Sequence, residues 1–258
     1  MIVEKGTVFK LNFKDLSDYK LSNGLSKESN PVNEAINQAS SKLNYSSEIE
    51  NLLERHALYD RAKELITYKW TYNPEAHAIV SNNLVPPHYL SNIKKEQEEQ
   101  GIPYTWGGFD SLHSRSTNQN WDNFEDALSK EAIIGNVGIT PNYLPGTAGL
   151  DCSGLISAVL GLESRKPSWY FYYNNDLFEK IAYNKLSLMD TLVKNGHILF
   201  YLNKSEHGIR SIETNAIGSQ WKVKYFNWSW RALRDNGYSA RTYQNIRDIH
   251  SEIQEIEK

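Results

Sequence analysis

The chain has 258 residues, of which 40% are hydrophobic and 12% aromatic, enough to bury one large core or two small ones. A net charge of −3 at pH 7 gives no indication of a concentrated basic face, so we expect no nucleic-acid partner. The single cysteine excludes an internal disulfide bond, and because no apolar run approaches membrane-spanning length we expect no transmembrane segment.

The first 45 residues predict an irregular N-terminal extension. Residues 1–45 are rich in Asn, Ser and Lys and contain only short apolar patches. The sequence from Met1 lacks the basic start and the apolar centre of a signal peptide. This leaves two possibilities, a cytoplasmic protein or one whose export signal is missing.

Two helices are predicted before residue 101. A capping Ser46 or Ser47 precedes apolar residues at helical spacing, namely Ile49, Leu52, Leu53, Ala57, Ala62, Leu65 and Ile66. This spacing predicts a core helix of about five turns. Prolines break the chain after it, and a polar helix is predicted around 90–100, ending at Gly101. We assign about 70–100 as an insertion.

The remaining pattern predicts an α+β fold. Residues 111–147 carry many turn formers around a short helix near 123–132, which indicates a surface insertion. A helix after Cys152 precedes four β-like runs, at 198–202, 209–214, 221–226 and 238–243. We expect one domain over 46–246, followed by a charged, helical C-terminal tail at 247–258.

Cys152 is the candidate nucleophile. It lies where a loop gives way to a buried helix, because Asp151 can cap that helix and apolar pairs follow at 155/156 and 159/160. Unpaired N–H groups and the positive dipole end at a helix start favour a thiolate over a thiol. The alternative is a small buried core residue, which is common for a free cysteine.

His197 is the candidate base. It opens the apolar run 197–202, a predicted strand in which its neighbours would hold the imidazole in place. The other six histidines lie in the amphipathic helix, in loops, in a turn or in the tail: His56, His77, His88, His113, His207 and His250. The alternative is an ordinary histidine at a strand end.

Glu213 is the candidate orienting residue for His197. In a hairpin turning at 203–208, paired positions sum to about 411, which places Thr214 opposite His197; one residue of slippage selects Glu213. On the face shared with His197, the Glu213 carboxylate would accept the Nδ1–H and leave Nε2 toward the thiol. Thr214 and Asn215 compete for this role, and an exposed strand carboxylate is the alternative.

Three ordered segments resemble the NlpC/P60 cysteine peptidases, bacterial cell-wall enzymes with a papain-like core. Residues 101–108 (GIPYTWGG) are similar to the family's G-x-P-Y-x-W-G-G segment, and 150–155 (LDCSGL) to its D-C-S-G-L nucleophile turn. Residues 196–198 (GHI) and the strand after them resemble its H-V-G-I-Y block. The resemblance implies an α+β fold in which the helix that bears the nucleophile packs on an antiparallel β-sheet.

The resemblance also implies a catalytic set. Cys152 would be the nucleophile, His197 the general base and Glu213 the third polar residue, a position where the family commonly has His, Asn, Asp or Gln. The family needs only a few residues between its first two motifs, so we expect the long insertion here to border the site and to influence specificity. Met189 and Asp190 stand where the family tends to have Gly-Asp.

Three further residues are implied to contact the substrate. Tyr104 would lie over the nucleophile, while Asp151 and Ser153 would hold the free amino end of the substrate. Tyr104 packing in the core and Asp151 serving only as a cap are the alternatives. The implied substrate is a peptidoglycan stem peptide or muropeptide, cut between D-glutamate and a diamino acid. By the same resemblance the protein would be secreted or associated with the cell wall.

The expected reaction is acyl transfer through a Cys152 thioester, with His197 moving the proton and the Cys152 backbone N–H stabilising the oxyanion. We expect no metal or other cofactor, since the sequence has no H-E-x-x-H motif and no cysteine cluster. The alternatives are a catalytically inactive cell-wall binding module and another cysteine-dependent amidase or transglutaminase-like enzyme. The sequence gives no indication of oligomeric state.

Overall fold

The structure, a computed structural model, describes residues 2–4, 7–9, 51–78, 84–114, 120–138, 142–215 and 221–244. The chain divides into two units, Met1–Ile49 and Glu50–Lys258. In the first unit, strands β1 (Ile2–Glu4) and β2 (Thr7–Phe9) pair antiparallel, where the sequence predicted an irregular extension. Val and Thr favour extended backbone, so even these short apolar patches form strands.

The second unit contains seven described helices. They are α1 (51–67), α2 (Pro74–His77), α3 (His88–Ser91), α4 (Phe124–Ser129), α5 (Cys152–Val159), α6 (Ser168–Tyr173) and α7 (Trp230–Asp235). The predicted core helix is confirmed as α1, which buries Leu58, Ala62 and Leu65 along one face. Its predicted start at Ser46 or Ser47 and the predicted tail at 247–258 lie outside the described residues.

A six-stranded antiparallel sheet forms the centre of this unit, which confirms the α+β class. Its strands are β7 (Phe178–Lys180), β8 (Thr191–Lys194), β9 (His197–Lys204), β10 (Gly208–Thr214), β11 (Val223–Ser229) and β12 (Ser239–Tyr243), in the order β11-β10-β9-β8-β12-β7. Helix α5 packs on β9 and β10 and buries Leu155, Ile156 and Val159. The four predicted strand runs correspond to β9, β10, β11 and β12.

Two short strand pairs correct the sequence analysis. The polar helix predicted around 90–100 is wrong, because β4 (Gln97–Gln100) pairs antiparallel with β3 (Lys69–Tyr72). The polar residues of β4 find their backbone partners in β3, a pairing that local helix propensity does not reveal. Strands β5 (Ile133–Ile134) and β6 (Thr147–Ala148) pair parallel within the segment predicted as a surface insertion.

That segment is not confined to the surface. Trp121, Phe124 and Ile134 are all buried and belong to the main hydrophobic core. The predicted short helix near 123–132 is confirmed as α4, whose cap Asn123 accepts a hydrogen bond from the Asp126 N–H. No helix in the described part of the chain is both long enough and apolar enough to cross a membrane.

The first two motif segments lie against each other. Leu150 donates its N–H to the Pro103 carbonyl at 3.0 Å, and Asp151 donates its N–H to the Gly108 carbonyl at 3.2 Å. Gly154 lies in the first turn of α5 directly against the same Gly108 carbonyl, where a side chain would collide with the backbone. A glycine at residue 154 therefore lets α5 approach the 101–108 segment.

Gly154→Ala should lower the free energy of unfolding by about 2 kcal/mol, because the added methyl meets backbone rather than a movable side chain. In an exposed helix the same change would stabilise the protein, since alanine has the higher helix propensity. Urea unfolding followed by circular dichroism measures the difference. Equal or greater stability in the variant would contradict the close approach.

Candidate active site

Cys152 is the first residue of α5. The Asp151 carboxylate caps this helix, accepting the Gly154 N–H at 2.6 Å, as the sequence predicted. The thiol is not activated as predicted, however: burial and the neighbouring Asp151 charge raise the pKa of Cys152 to about 12. Backbone N–H groups of Ile198 and Ser153 act in the opposite direction, but they are outweighed by the loss of solvent. At neutral pH the resting sulfur is a thiol.

His197 is the first residue of β9, and Ile198 beside it is the residue whose backbone reaches the Cys152 thiol. The His197 side chain is only 15% exposed, and burial lowers its pKa. The negative charges of Glu213 and Asp151 raise this pKa and the positive charge of Lys194 lowers it. The resting imidazole is therefore neutral at pH 7.

The structure brings Glu213 to His197. Strand β10 pairs Ser211 with Tyr201 and Ile212 with Phe200 after a β-bulge, so paired positions sum to 412 and not to the predicted 411. The shift runs opposite to the slippage that selected Glu213, and it places the predicted competitor Asn215 across from His197. Continuing this register puts Glu213 diagonal to His197 on the same face of the sheet. The Glu213 Oε2 atom lies 3.5 Å from His197 Nε2.

The Glu213 carboxylate is held from its other side. Its Oε1 atom accepts hydrogen bonds from Ser211 Oγ at 3.0 Å and from Trp228 Nε1 at 2.8 Å. The side chain is fully buried, and within the described residues Oε2 accepts no hydrogen bond. The oxygen without a donor is thus the one that faces His197. Thr214, a predicted competitor, contributes its backbone carbonyl 3.4 Å from His197 Nε2.

The predicted assignment of the two ring nitrogens is wrong. Nε2, and not Nδ1, faces Glu213 and the Thr214 carbonyl, both of which are acceptors. Nε2 therefore carries the proton of the neutral ring, and Nδ1 offers a lone pair. The Tyr238 hydroxyl occupies that lone pair, with 2.8 Å between Oη and Nδ1.

Tyr238 is a residue of this site that the sequence analysis missed. Its ring is 6% exposed and contacts His197 edge-on, with 6.0 Å between centroids. Burial raises its pKa and the negative charge of Glu213 raises it further, so the hydroxyl is neutral and donates to Nδ1. Among the described residues the Cys152 thiol makes no hydrogen bond to His197. No local signal marks Tyr238, because α7 and the start of β12 carry it to the site from a distant part of the sequence.

Tyr238→Phe should make Cys152 react with iodoacetamide about fivefold faster at pH 7. The change removes one hydrogen bond, worth about 1 kcal/mol, that competes with the thiol for Nδ1. Tyr183→Phe is the matched control, because the Tyr183 hydroxyl donates to the Tyr238 carbonyl at 2.6 Å and does not touch His197. Whole-protein mass spectrometry follows the single cysteine. An unchanged or slower rate in Tyr238→Phe would show that Tyr238 does not compete with the thiol.

Tyr104 lies at the same site. It is 6% exposed and packs edge-on against Trp221. Burial and the negative charge of Asp151 raise the pKa of Tyr104, and the positive charge of Arg165 acts in the opposite direction. Within the described part of the chain, the Tyr104 hydroxyl has no hydrogen-bond partner.

The Asp151 carboxylate is surrounded by donors. Oδ1 accepts from the Gly154 N–H and from Ser153 Oγ at 3.0 Å, and Oδ2 accepts from the Gly107 N–H at 3.1 Å and from Arg165 Nε at 2.9 Å. Arg165 also donates through Nη2 to Oδ2. Arg165 is a second residue that the sequence analysis missed, because an arginine in a loop has no distinguishing local pattern.

The described residues include no group of three or more His, Cys, Asp or Glu side chains that could hold a metal ion. The chain matches no protein-family model, no curated protein and no solved structure.

Proposed function

We propose that the chain is a cysteine peptidase of the NlpC/P60 type, with a papain-like core, that cleaves peptidoglycan stem peptides between D-glutamate and a diamino acid. The meeting of the three motif segments at Cys152 carries the proposal. Residues 101–108 bond to the backbone just before Cys152, and Ile198, next to His197, contacts the thiol. Acyl transfer at an amide carbonyl is the reaction favoured by a nucleophile followed along the chain by a base and a buried carboxylate, here Cys152, His197 and Glu213.

The reaction begins from a neutral thiol and a neutral imidazole, as the directions of their pKa shifts require. His197 therefore acts as a general base: the thiol proton moves to Nδ1 while the sulfur bonds to the carbonyl carbon. Nδ1 takes that proton once the Tyr238 hydroxyl turns away. The Cys152 backbone N–H, at the start of α5, is the proposed donor to the oxyanion.

Collapse of the tetrahedral intermediate breaks the carbon–nitrogen bond, and the His197 Nδ1–H protonates the departing amine. Water, deprotonated by the same nitrogen, then attacks the thioester and releases the acid and the thiol. Glu213 stabilises the imidazolium that forms in both steps, because its Oε2 faces Nε2. Such a substrate would place the protein at the cell wall.

A catalytically inactive binding module is the second candidate. It is favoured by the raised pKa of Cys152 and by the Tyr238 hydroxyl on the nitrogen that would accept the thiol proton. A module of this kind would retain affinity for muropeptides without turning them over. A cysteine amidase or a transglutaminase-like enzyme would use the same thiol and base and differ in its products.

Incubation of the purified chain with muropeptides tests the proposal. We expect a new amino group on the diamino acid and a new carboxyl group on D-glutamate, identified by amine labelling and mass spectrometry. Release of ammonia would instead indicate an amidase, and amine incorporation a transglutaminase-like reaction. Binding without any product would favour the inactive module.

A further inference from the structure

Arg165 places a cation beside the candidate nucleophile. It lies in the loop between α5 and α6, and this loop is tied to α5 because the Lys166 N–H donates to Ser157 Oγ at 2.9 Å. Ser157 Oγ in turn donates to the Ser153 carbonyl at 2.8 Å. These two bonds fix the loop against the helix that begins at Cys152.

The ion pair of Arg165 with Asp151 is asymmetric in its exposure. The Arg165 side chain is 27% exposed and that of Asp151 is 4% exposed. Solvent and ligands therefore meet the cation, while the anion is held behind it by backbone and hydroxyl donors. Such a pair presents positive potential at the surface even though its net charge is zero.

Arg165 also retains donor capacity. Its Nε and Nη2 atoms bond to Asp151, and no described residue accepts a hydrogen bond from Nη1. The Tyr104 hydroxyl is likewise without a hydrogen-bond partner among the described residues, although Tyr104 is only 6% exposed. Tyr104 lies between Pro103 and Thr105, both of which hydrogen-bond to the backbone of Leu150, the neighbour of Asp151. The charge of Arg165 acts on both the Tyr104 hydroxyl and the Cys152 thiol.

We propose that Arg165 and the Tyr104 hydroxyl form an anion subsite that binds a carboxylate of the acyl group attacked by Cys152. A guanidinium edge and a phenolic O–H are suited to the two oxygens of one carboxylate. The saturated Asp151 carboxylate, with its charge balanced by Arg165, offers little to an ammonium group. The proposal rests on the proposed function, in that it names the substrate class of the same site.

A pair of alkylating reagents tests this subsite without requiring turnover. Iodoacetate carries a carboxylate and iodoacetamide a neutral amide of similar size, and the single cysteine makes the site of reaction unambiguous. The ratio of their rates cancels differences in thiolate fraction. We expect Arg165→Gln to lower the iodoacetate-to-iodoacetamide ratio at least about threefold, and Arg165→Lys to retain part of the preference.

Two further variants separate carboxylate binding from a general field effect. The double variant Asp151→Asn/Arg165→Gln restores the zero net charge of the pair and keeps a good helix cap. Its iodoacetate-to-iodoacetamide ratio should stay as low as that of Arg165→Gln. Lys166→Gln removes the same charge from the next residue, whose Nζ contacts Ser164 Oγ; its ratio should match the wild type.

A wild-type ratio in the double variant would overturn the proposal, because Arg165 would then only balance Asp151. An equal fall in Lys166→Gln, or no fall in Arg165→Gln, would also overturn it. Circular dichroism establishes that each variant is folded, and Arg165→Lys provides a second comparison if Arg165→Gln is not. Because alkylation needs only a thiol, absence of muropeptide cleavage would count against the proposed function and leave this result standing.

Discussion

Cys152→Ala should abolish the release of amino groups from muropeptides, with a rate at least about 10⁴-fold below that of the wild type. The chain has one cysteine, so no other thiol can form the acyl-enzyme. The neighbouring Ser153 is only 2% exposed and its hydroxyl donates to Asp151, so we expect no substitute nucleophile there. Initial rates from an amine-reactive fluorophore measure the loss.

Cys152→Ser is the companion variant, since it preserves size and hydrogen-bonding capacity but has a far weaker nucleophile. We expect both variants to bind muropeptides with an affinity close to that of the wild type and to unfold at similar temperatures. Turnover by either variant at more than a tenth of the wild-type rate would rule out Cys152 as the nucleophile. Wild-type protein that binds but never turns over would identify the inactive module instead.

The parts of the fold that the sequence predicted are those with strong local signals. Helix α5 follows from the Asp151 cap and the apolar pairs behind it, and both features are present in the structure. Strand β9 follows from its continuous apolar run at 198–202, which becomes buried in the sheet, and β10 follows across the predicted turn at 203–208. In each case short-range chemistry and tertiary packing favour the same structure.

Where tertiary pairing decides the structure, local residue patterns predict it wrongly or not at all. Strand β4 consists of four polar residues, Gln97–Gln100, and its only reason to be extended is the partner strand Lys69–Tyr72. Strands β7 and β8 are three and four residues long, too short to produce a recognisable alternation. Strand β7 depends on hydrogen bonds to β12, which lies far away along the chain, and β8 is held between β12 and the neighbouring β9.

The site shows the same division. Cys152 and His197 stand out in the sequence, but the hairpin register that selected Glu213 differs by two residues from the observed one, in which Glu213 is diagonal and not opposite to His197. The ring nitrogen that faces Glu213 depends on a β-bulge and on the rotation of one side chain, neither of which the pattern encodes. Tyr238 and Arg165 act through contacts that cross 41 and 14 residues of sequence, so only the folded chain reveals them.

Glu213→Gln should lower kcat/KM about 10- to 100-fold and move the acid limb of its pH profile to lower pH. The Glu213 charge raises the pKa of His197, so removing it destabilises the imidazolium and lowers that pKa further. The imidazolium forms during catalysis, and for this reason the rate falls even at pH values where the resting ring is neutral. Nuclear magnetic resonance titration of the His197 ring measures the same shift without any substrate.

Two other variants test the direction of this shift and provide a control. Lys194 lowers the pKa of His197, so Lys194→Gln should move the acid limb to higher pH, opposite to Glu213→Gln. Ser211→Ala removes a hydrogen bond to Glu213 Oε1 but keeps the carboxylate charge, and should leave the limb nearly unchanged. Asp151, the third charge that acts on His197, is the same in all three variants. Of these two variants, only Glu213→Gln alters the electric field at the His197 ring. If Glu213→Gln and Ser211→Ala shift the acid limb equally, Glu213 therefore acts by holding the strand in place and not by its charge.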